Sequence, residues 1–371
     1  IRELNLEQGW VKVGPGVVLD QLNDFLRPHG VFFAPNLSPS SRATLGGMIN
    51  TDACGKGSRV YGRTSDHLLE LSCLLSNGEE LHSVPLNPKE LTDWKKASGR
   101  TGEVYRVVDE IVCRQAELIE EIFPKMSRFM TGYNLARVYS NDQHPIFNLN
   151  YLLAGSEGTL AVVHEAKLRL TPLPAFHELI VVKYESFDDA LRAAGILVQS
   201  DPTAIETVDE KILGLAREDE IYHKVKDFVA DEGSRPTRTI NLVEFSGNEK
   251  SVVSAKVDQL AKIIHERKEI SGEATGFYRT DIPEEIRDLW NLRKKGVGLL
   301  GNTKGRRKPI PFVEDTAVPP ENLAAYIREF RDLLESFGLE YAMFGHVDVG
   351  CLHVRPALDL KTTEDLSLIH I

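Results

Sequence analysis

The chain has 371 residues, 42% of them hydrophobic, and a formal net charge of −11 from 44 basic and 55 acidic side chains. A chain of that length holds more than one hydrophobic core, so two domains are expected. The charge repels phosphodiester backbones and argues against nucleic acid as the main partner. No stretch reaches the roughly 18 consecutive apolar residues of a membrane span, which predicts a soluble chain.

In chain order, WVKVGPGVVLDQLNDFLRPHG predicts a strand, a Pro-Gly turn and a short amphipathic helix with Leu19, Leu22 and Leu26 on one stripe, closed by Gly30. Residues 31–62 are irregular and rich in Gly, Ser, Pro and Asn. Leu45, Met48, Ile49 and Val60 look like apolar anchors there, so this stretch is expected to be functional rather than disordered. LLELSCLLSNGEELHSV is a hairpin signature around Asn77-Gly78. EVYRVVDEIVCRQAELIEEIF is helical, and NLNYLLAGSEGTLAVVHEAKLRLTPLP runs from a glycine-broken turn into a buried strand.

From about residue 176 the rhythm changes. HELIVVKYES, TAIETVD, TINLVEFSG, GEATGFYRT and PIPFVEDTAVP read as strands, with helices through DDALRAAGILVQS and over 249–268, 283–295 and 320–336. Strict βαβ alternation is absent, which predicts an antiparallel sheet with helices on one face. The domain boundary is expected at Pro172 to Ala175. No period of 20 to 50 residues recurs, so this is not a repeat protein.

The four cysteines, at 54, 73, 113 and 351, have neither CxxC spacing nor a disulfide pattern, so reduced thiols in the cytoplasm are expected. The opening IRELNLEQGW has no signal-peptide character and no Met, and the closing LSLIHI continues no pattern. Both ends are therefore read as truncated, with 361–371 a non-native or disordered tail. The basic run Lys304, Arg306, Arg307 and Lys308 is read as a solvated loop.

Several motifs bear on chemistry. GVGLLG at 296–301 matches GxGxxG in form, but the charged helical stretch LWNLRKK precedes it instead of a strand, so it is rejected as a dinucleotide site. No P-loop occurs. TLGGMINTDACG offers adjacent glycines for backbone approach to a diphosphate, flanked by Thr44, Asn50 and Thr51. GSEGTL at 155–160 is a second tight turn, holding Glu157. Two such loops in one domain suggest an extended ligand laid across them.

FGHVDVGCLHVRP, residues 344–356, raises the question of a metal. In one straight strand a separation of seven would send His346 and His353 to opposite faces. A hairpin with a two-residue turn at Val349-Gly350 would instead pair 346 with 353, on one face, with Cβ atoms about 4.5 to 5.5 Å apart. Val is poor in such a turn, so a bulged variant is equally open. On spacing alone, two unrelated histidines are the preferred reading.

PNLSPSSRATLGGMINTDACGKGSRVYG followed by LLAGSEGTLAVVHEAKLRLTPLP resembles the flavin domain of the FAD-linked oxidases of the vanillyl-alcohol oxidase and p-cresol methylhydroxylase type. The second half resembles the branch holding D-lactate and D-2-hydroxyglutarate dehydrogenases, nearest the long bacterial forms with a fused iron-sulfur domain. The resemblance implies an α+β fold: an FAD-binding domain of the p-cresol methylhydroxylase type over 1–173, then an antiparallel-sheet α+β substrate (cap) domain over 174–360. It implies FAD, non-covalent despite the nearby Cys54 and His67, held by Thr44, Gly46, Gly47, Asn50, Thr51, Gly55, Gly62, Glu157, Gly158 and Val163.

The family's earlier diphosphate loop is expected before Ile1, and a further Glu and a catalytic His beyond residue 371. The resemblance makes His346 and His353 ligands of a divalent metal (zinc, iron or manganese) and, with Arg293, the catalytic set. The metal would hold the substrate's α-hydroxyl and carboxylate and lower the hydroxyl pKa while the α-hydride passes to flavin N5. Arg293 would clamp the carboxylate, a task its planar fork suits. The relatives' Thr and Lys fall at Val297 and Val313, and Lys308 is a candidate replacement. Their Gly-Asp-Gly-Asn between the histidines is here Asp348, Val349, Gly350 and Cys351.

The activity implied is oxidation of a D-2-hydroxy acid, D-2-hydroxyglutarate ahead of D-lactate, with electrons leaving to an iron-sulfur domain or partner. The alternatives are a flavin oxidase of the same fold acting on alcohols or sugars, or a catalytically silent flavin-binding fragment.

Overall fold

A computed structural model describes residues 1–371 except 130, 131, 141, 142, 302–304 and 371, and gives the backbone only at 297 and 299–301. The chain divides into two compact units, Ile1–Leu173 and Pro174–Ile371. Among the described residues no helix is long and apolar enough to cross a membrane.

The first unit runs β1 (Glu3–Asn5), β2 (Trp10–Val13), α1 (Leu19–Leu26), β3 (Val31–Phe32), α2 (Leu45–Asn50), α3 (Ser58–Tyr61), β4 (Leu68–Leu74) and β5 (Glu80–Ser83). It continues with α4 (Pro88–Lys95), α5 (Gly99–Arg114), α6 (Ala116–Ile122), α7 (Asn150–Leu153), β6 (Val162–Arg169) and β7 (Thr171–Pro172). An antiparallel sheet of order β1-β2-β6-β4-β5 is its frame. The expected stripe of Leu19, Leu22 and Leu26 is fully buried against it, and the Asn77-Gly78 hairpin turns at Gly78 with φ +85°. Leu45, Met48 and Ile49 anchor the irregular segment in the core as expected, but Val60 is 52% exposed. It lies on α3, a single turn entered through left-handed Gly57, which faces Val60 outward.

The second unit comprises β8 (Phe176–Tyr184), α8 (Phe187–Arg192), α9 (Ala194–Gln199), β9 (Ala204–Val208), α10 (Glu210–Arg217), α11 (Tyr222–Val225), β10 (Thr239–Gly247) and α12 (Lys250–Arg267). Then follow β11 (Gly276–Thr280), α13 (Pro283–Gly301), β12 (Lys308–Pro309), β13 (Val313–Ala317), α14 (Leu323–Ser336), β14 (Tyr341–His346), β15 (Cys351–Leu358) and α15 (Thr363–His370). Its sheet has eight strands in the order β11-β8-β10-β9-β14-β15-β12, with β13 also on β15, and every pairing is antiparallel.

Helices cover both faces of this sheet, not one. Ile180 and Val182 of β8 pack with Phe187, Val257, Leu260 and Ile327, whereas Leu179 and Val181 pack with Ile212, Leu213, Leu289 and Leu292. Side chains alternate along a strand, so two apolar faces demand two helical layers. The unbroken LIVV of β8 is the sequence mark of a strand buried on both sides.

The segment expected to be a non-native or disordered tail is ordered, as the helix Thr363–His370. Thr362 Oγ1 accepts from the Asp365 amide at 3.3 Å, a capping contact that opens α15. Buried Asp365 is gripped bidentately by Arg307 at 2.8 and 2.9 Å, and Arg306, itself largely exposed, pairs with Asp359 at 2.8 Å, so both arginines of the basic run carry ion pairs to this segment. GVGLLG lies inside α13, which agrees with its rejection as a nucleotide loop.

Between β14 and β15 the chain reverses through a 3₁₀ turn, Val347–Val349, closed by Gly350 at φ +65°. A Cβ on Gly350 would stand 1.7 Å from the Val318 carbonyl oxygen, so neither the left-handed backbone nor the space admits a side chain. Gly350→Ala is expected to destabilise the second unit by about 3 kcal/mol or more, combining the left-handed penalty with a backbone clash. Urea unfolding of the variant measures this, and a loss below roughly 1 kcal/mol would show that the turn relaxes freely.

Candidate active site

The hairpin register differs from the expected one. His346 is paired with Cys351, and His353 with Phe344, because the reversal takes four residues rather than two. The register is shifted by two, an even number, so both imidazoles remain on one face as diagonal neighbours. Their ring centres are 5.3 Å apart, with the planes at 82°. A shift of one would have separated them.

A residue that carries no sequence signal beyond its place in a strand organises the cluster. Glu206, on β9, is 2% exposed. Its Oε2 accepts from Arg293 Nε of α13 at 2.9 Å, and its Oε1 meets Nδ1 of His346. Burial alone would push this carboxyl up, but His346 and then Arg293 outweigh it and hold Glu206 down at about 2. His353 has a carboxylate of its own: its Nδ1 lies 2.8 Å from Asp315 Oδ1, at ion-pair distance but without hydrogen-bond alignment. Asp315, at φ +58°, sits in the irregular stretch of β13, a strained conformation for a non-glycine residue and of the kind that functional sites retain. The Cys351 thiol donates towards the same Asp315 oxygen at 3.8 Å.

Carboxylates on the Nδ1 sides of both rings are the outer contacts that orient metal-ligating histidines and leave Nε2 as the ligating atom. The pair therefore suits a divalent cation, although among the described residues no group of three or more His, Cys, Asp and Glu comes together as a ligand set. Arg293 is 7% exposed and its guanidinium rests on Phe344, 4.5 Å from the ring centre. Val313 pairs with Val354, beside the site. Lys308 pairs with Leu358, five residues beyond His353, and so is no replacement for a missing lysine here. The Val297 side chain and Lys304 lie outside the described residues.

In the first unit the two glycine loops do meet. The Gly155 and Glu157 amides donate to the Ile49 and Asn50 carbonyls, each at 2.9 Å. Gly155, Glu157 and Gly158 are all left-handed, which makes the turn tight. The glycines of the first loop serve close backbone packing: a Cβ on Gly55 would lie 2.0 Å from Asn36 O, and one on Gly46 2.7 Å from Pro15 Cβ. The Gly46 amide is already bound to Pro15 O, and the Gly47 amide to the capping hydroxyl of Thr44. What remains for a ligand is polar: the buried atoms Asn50 Oδ1 and Ser58 Oγ have no hydrogen-bond partner among the described residues, and Thr51 and Glu157 are exposed. Orphaned polar atoms beside such loops fit a polar cofactor. Gly62, at φ +72°, closes α3. Val163 is buried in the core opposite Cys73, so its side chain gives no support to a cofactor contact. His67 is a core histidine, its Nε2 on Tyr61 O at 2.7 Å and its pKa lowered by burial.

A family model described as FAD linked oxidases, C-terminal domain, matches residues 173–370, and an FAD binding domain model matches residues 1–83. The chain belongs to the FAD-linked oxidases. The resemblance seen in its loops is thereby borne out. A D-2-hydroxyglutarate dehydrogenase of Pseudomonas putida is 52% identical over 100% of the chain, and one of Escherichia coli is 49% identical over 97%. The chain spans 36% and 35% of those relatives, about a third of their length. The structure of p-cresol methylhydroxylase with substrate bound superposes with a TM-score of 0.61 over 99% of this chain and 65% of that one, at 13% identity, which supports the expected fold class.

Glu206→Gln removes the charge that Arg293 and His346 share and is expected to cost roughly 3 kcal/mol at neutral pH, because it leaves a buried guanidinium uncompensated. In the unaltered protein, a carboxyl held at about 2 when folded, against 4.5 ordinarily, adds stability above pH 4.5 that is lost as pH falls from there towards 2. Urea unfolding of chelator-treated protein at neutral pH and near pH 3 checks both points. The variant should lack this part of the acid sensitivity, and equal acid sensitivity in the two proteins would refute the assignment.

Proposed function

We propose that the chain carries out the flavin-dependent oxidation of a D-2-hydroxy acid to the 2-oxo acid, with D-2-hydroxyglutarate favoured and D-lactate next. The observation that carries this reading is the cluster of Arg293, Glu206, His346 and His353, in which a guanidinium suited to a carboxylate shares Glu206 with one of two neighbouring imidazoles. The two dehydrogenases at about half identity over almost the whole chain support the same substrate class.

In this reading Thr44, Gly46, Gly47, Asn50, Thr51, Gly55, Gly62, Glu157 and Gly158 form the flavin cradle, Asn50 by its unsatisfied oxygen and the glycines by letting backbone segments close up. FAD, when bound, supplies the two-electron acceptor for the substrate's α-hydrogen. His346 and His353 would hold a divalent cation, which supplies Lewis acidity to an α-hydroxyl. Glu206 fixes the His346 ring and the Arg293 fork together, and Arg293 binds the substrate's α-carboxylate. Electrons pass on to an iron-sulfur domain or partner outside this chain. None of the four cysteines is disulfide-bonded, which supports a cytoplasmic setting.

Anaerobic mixing of the full-length holoprotein, supplied with zinc or manganese, with each enantiomer of 2-hydroxyglutarate and lactate tests the reading. Flavin bleaching is expected with the D-acids, fastest with D-2-hydroxyglutarate, and its absence with every D-acid would sink the proposal. Arg293→Met is expected to lower kcat/KM on the order of 100-fold through loss of a charged contact. His353→Ala should lower bound metal and kcat together, by at least about 10-fold.

A further inference from the structure

Arg355 has no role in the reaction as described. It follows His353 by two residues on β15, so its side chain leaves the same face of the sheet. Its guanidinium carbon stands 5.5 Å from the centre of the Phe344 ring, the same ring that carries Arg293 at 4.5 Å. Phe344 also lies against His353, with ring centres 5.0 Å apart. One aromatic ring thus holds two guanidiniums and stands beside one of the paired imidazoles. Arg355 is tethered through Nε to Glu314 of β13, and among the described residues its two Nη groups make no hydrogen bond. With its side chain only 16% exposed, the outer edge of the fork is both oriented and shielded.

We infer that Arg355 receives a second, distal carboxylate, so that the site selects dicarboxylic over monocarboxylic 2-hydroxy acids; this rests on the reading given under Proposed function. Sharing one ring limits the two guanidinium carbons to about 10 Å apart, within reach of stacked cations around one aromatic face. A five-carbon diacid separates its carboxyl carbons by roughly 5 Å, from C–C bonds of about 1.5 Å, and each carboxylate needs a further few ångströms to its fork. The span matches. An acid ending in a methyl group would leave the Nη edge of Arg355 desolvated with only Glu314 answering its charge, and a site built for a charged group rejects analogues that lack it more strongly than an apolar pocket rejects an extra group.

The test compares kcat/KM for D-2-hydroxyglutarate and D-lactate in the full-length holoprotein, with binding of 2-oxoglutarate and pyruvate by calorimetry as a readout independent of turnover. Arg355→Gln is expected to lower the ratio of the two kcat/KM values by roughly 30- to 100-fold, and the ratio of the two affinities in the same direction. Arg355→Lys, which keeps charge without the fork, should lower it by about 10-fold and serves if the glutamine variant does not fold. A ratio within about threefold of the unaltered protein's, including equal loss on both substrates, overturns the inference, because bracing of β13 by Glu314 would act on both alike. An unaltered protein that oxidises D-acids without preferring the dicarboxylate also overturns it. One that oxidises no D-acid overturns the functional reading instead.

Discussion

The second unit is organised around a negative charge buried in the middle of its sheet. Glu206 sits in mid-sheet on β9, and its ionised form persists only because a guanidinium from α13 and an imidazole from β14 each take one of its oxygens. Those partners lie 87 and 140 residues away along the chain. The pairing therefore forms only when strand order and the α13 layer are both in place, which couples the site to the fold. Set against an apolar cluster of the same volume a buried ion pair adds little net stability, although breaking it by removing one partner is costly; its worth is geometric, because it fixes two functional groups relative to one another. Because the two contacts use different oxygens, the imidazole and the guanidinium are held side by side without competing.

The site also depends on parity. Sheet faces alternate with every residue, so what matters for the histidines is whether the turn shifts the register by an even or an odd number. The four-residue reversal at Val347–Gly350 shifts it by two relative to the tight turn and preserves the face. It also brings Cys351 opposite His346 and leaves His353 beside Phe344, the ring on which both arginines rest. Gly350 is what permits that reversal, since the Val318 carbonyl occupies the space any side chain would need.

Features carried by local periodicity were legible in the sequence: the leucine stripe of α1, the Asn-Gly hairpin and the helix that swallows GVGLLG; a shared face for His346 and His353 was not, because spacing alone favours two unrelated histidines and only a chain reversal brings them together. The register itself was not, because Val349 in a tight turn signals trouble without saying how the chain resolves it. The second helical layer is legible in LIVV of β8, whereas element order alone argues for helices on one face. Glu206 left a fainter mark, a lone acid within AIETV, and nothing local says which residues neutralise it. Asp315 left none, since its left-handed backbone arises from the irregular pairing of β13 with β15. The loop glycines were read as contacts for a diphosphate, yet Gly46 and Gly55 are required by protein backbone, because a glycine's purpose lies in what approaches it.

The two units prepare for ligands in opposite ways. In the first, the framework is satisfied and a few polar atoms are not: the amides of Gly46 and Gly47 are bound within the protein while Asn50 Oδ1 and Ser58 Oγ have no partner among the described residues. Such a site gains most from a long, polar ligand that answers several groups at once, as a dinucleotide does. In the second, the buried charges are already matched, Glu206 by Arg293 and His346, so a substrate entering there meets groups whose orientation has been fixed beforehand. Preorganisation of that kind favours differential binding of the reacting state over tight binding of the substrate, because the protein need not rearrange as charge develops. The first arrangement suits a resident cofactor, and the second suits a molecule that must leave after each turnover.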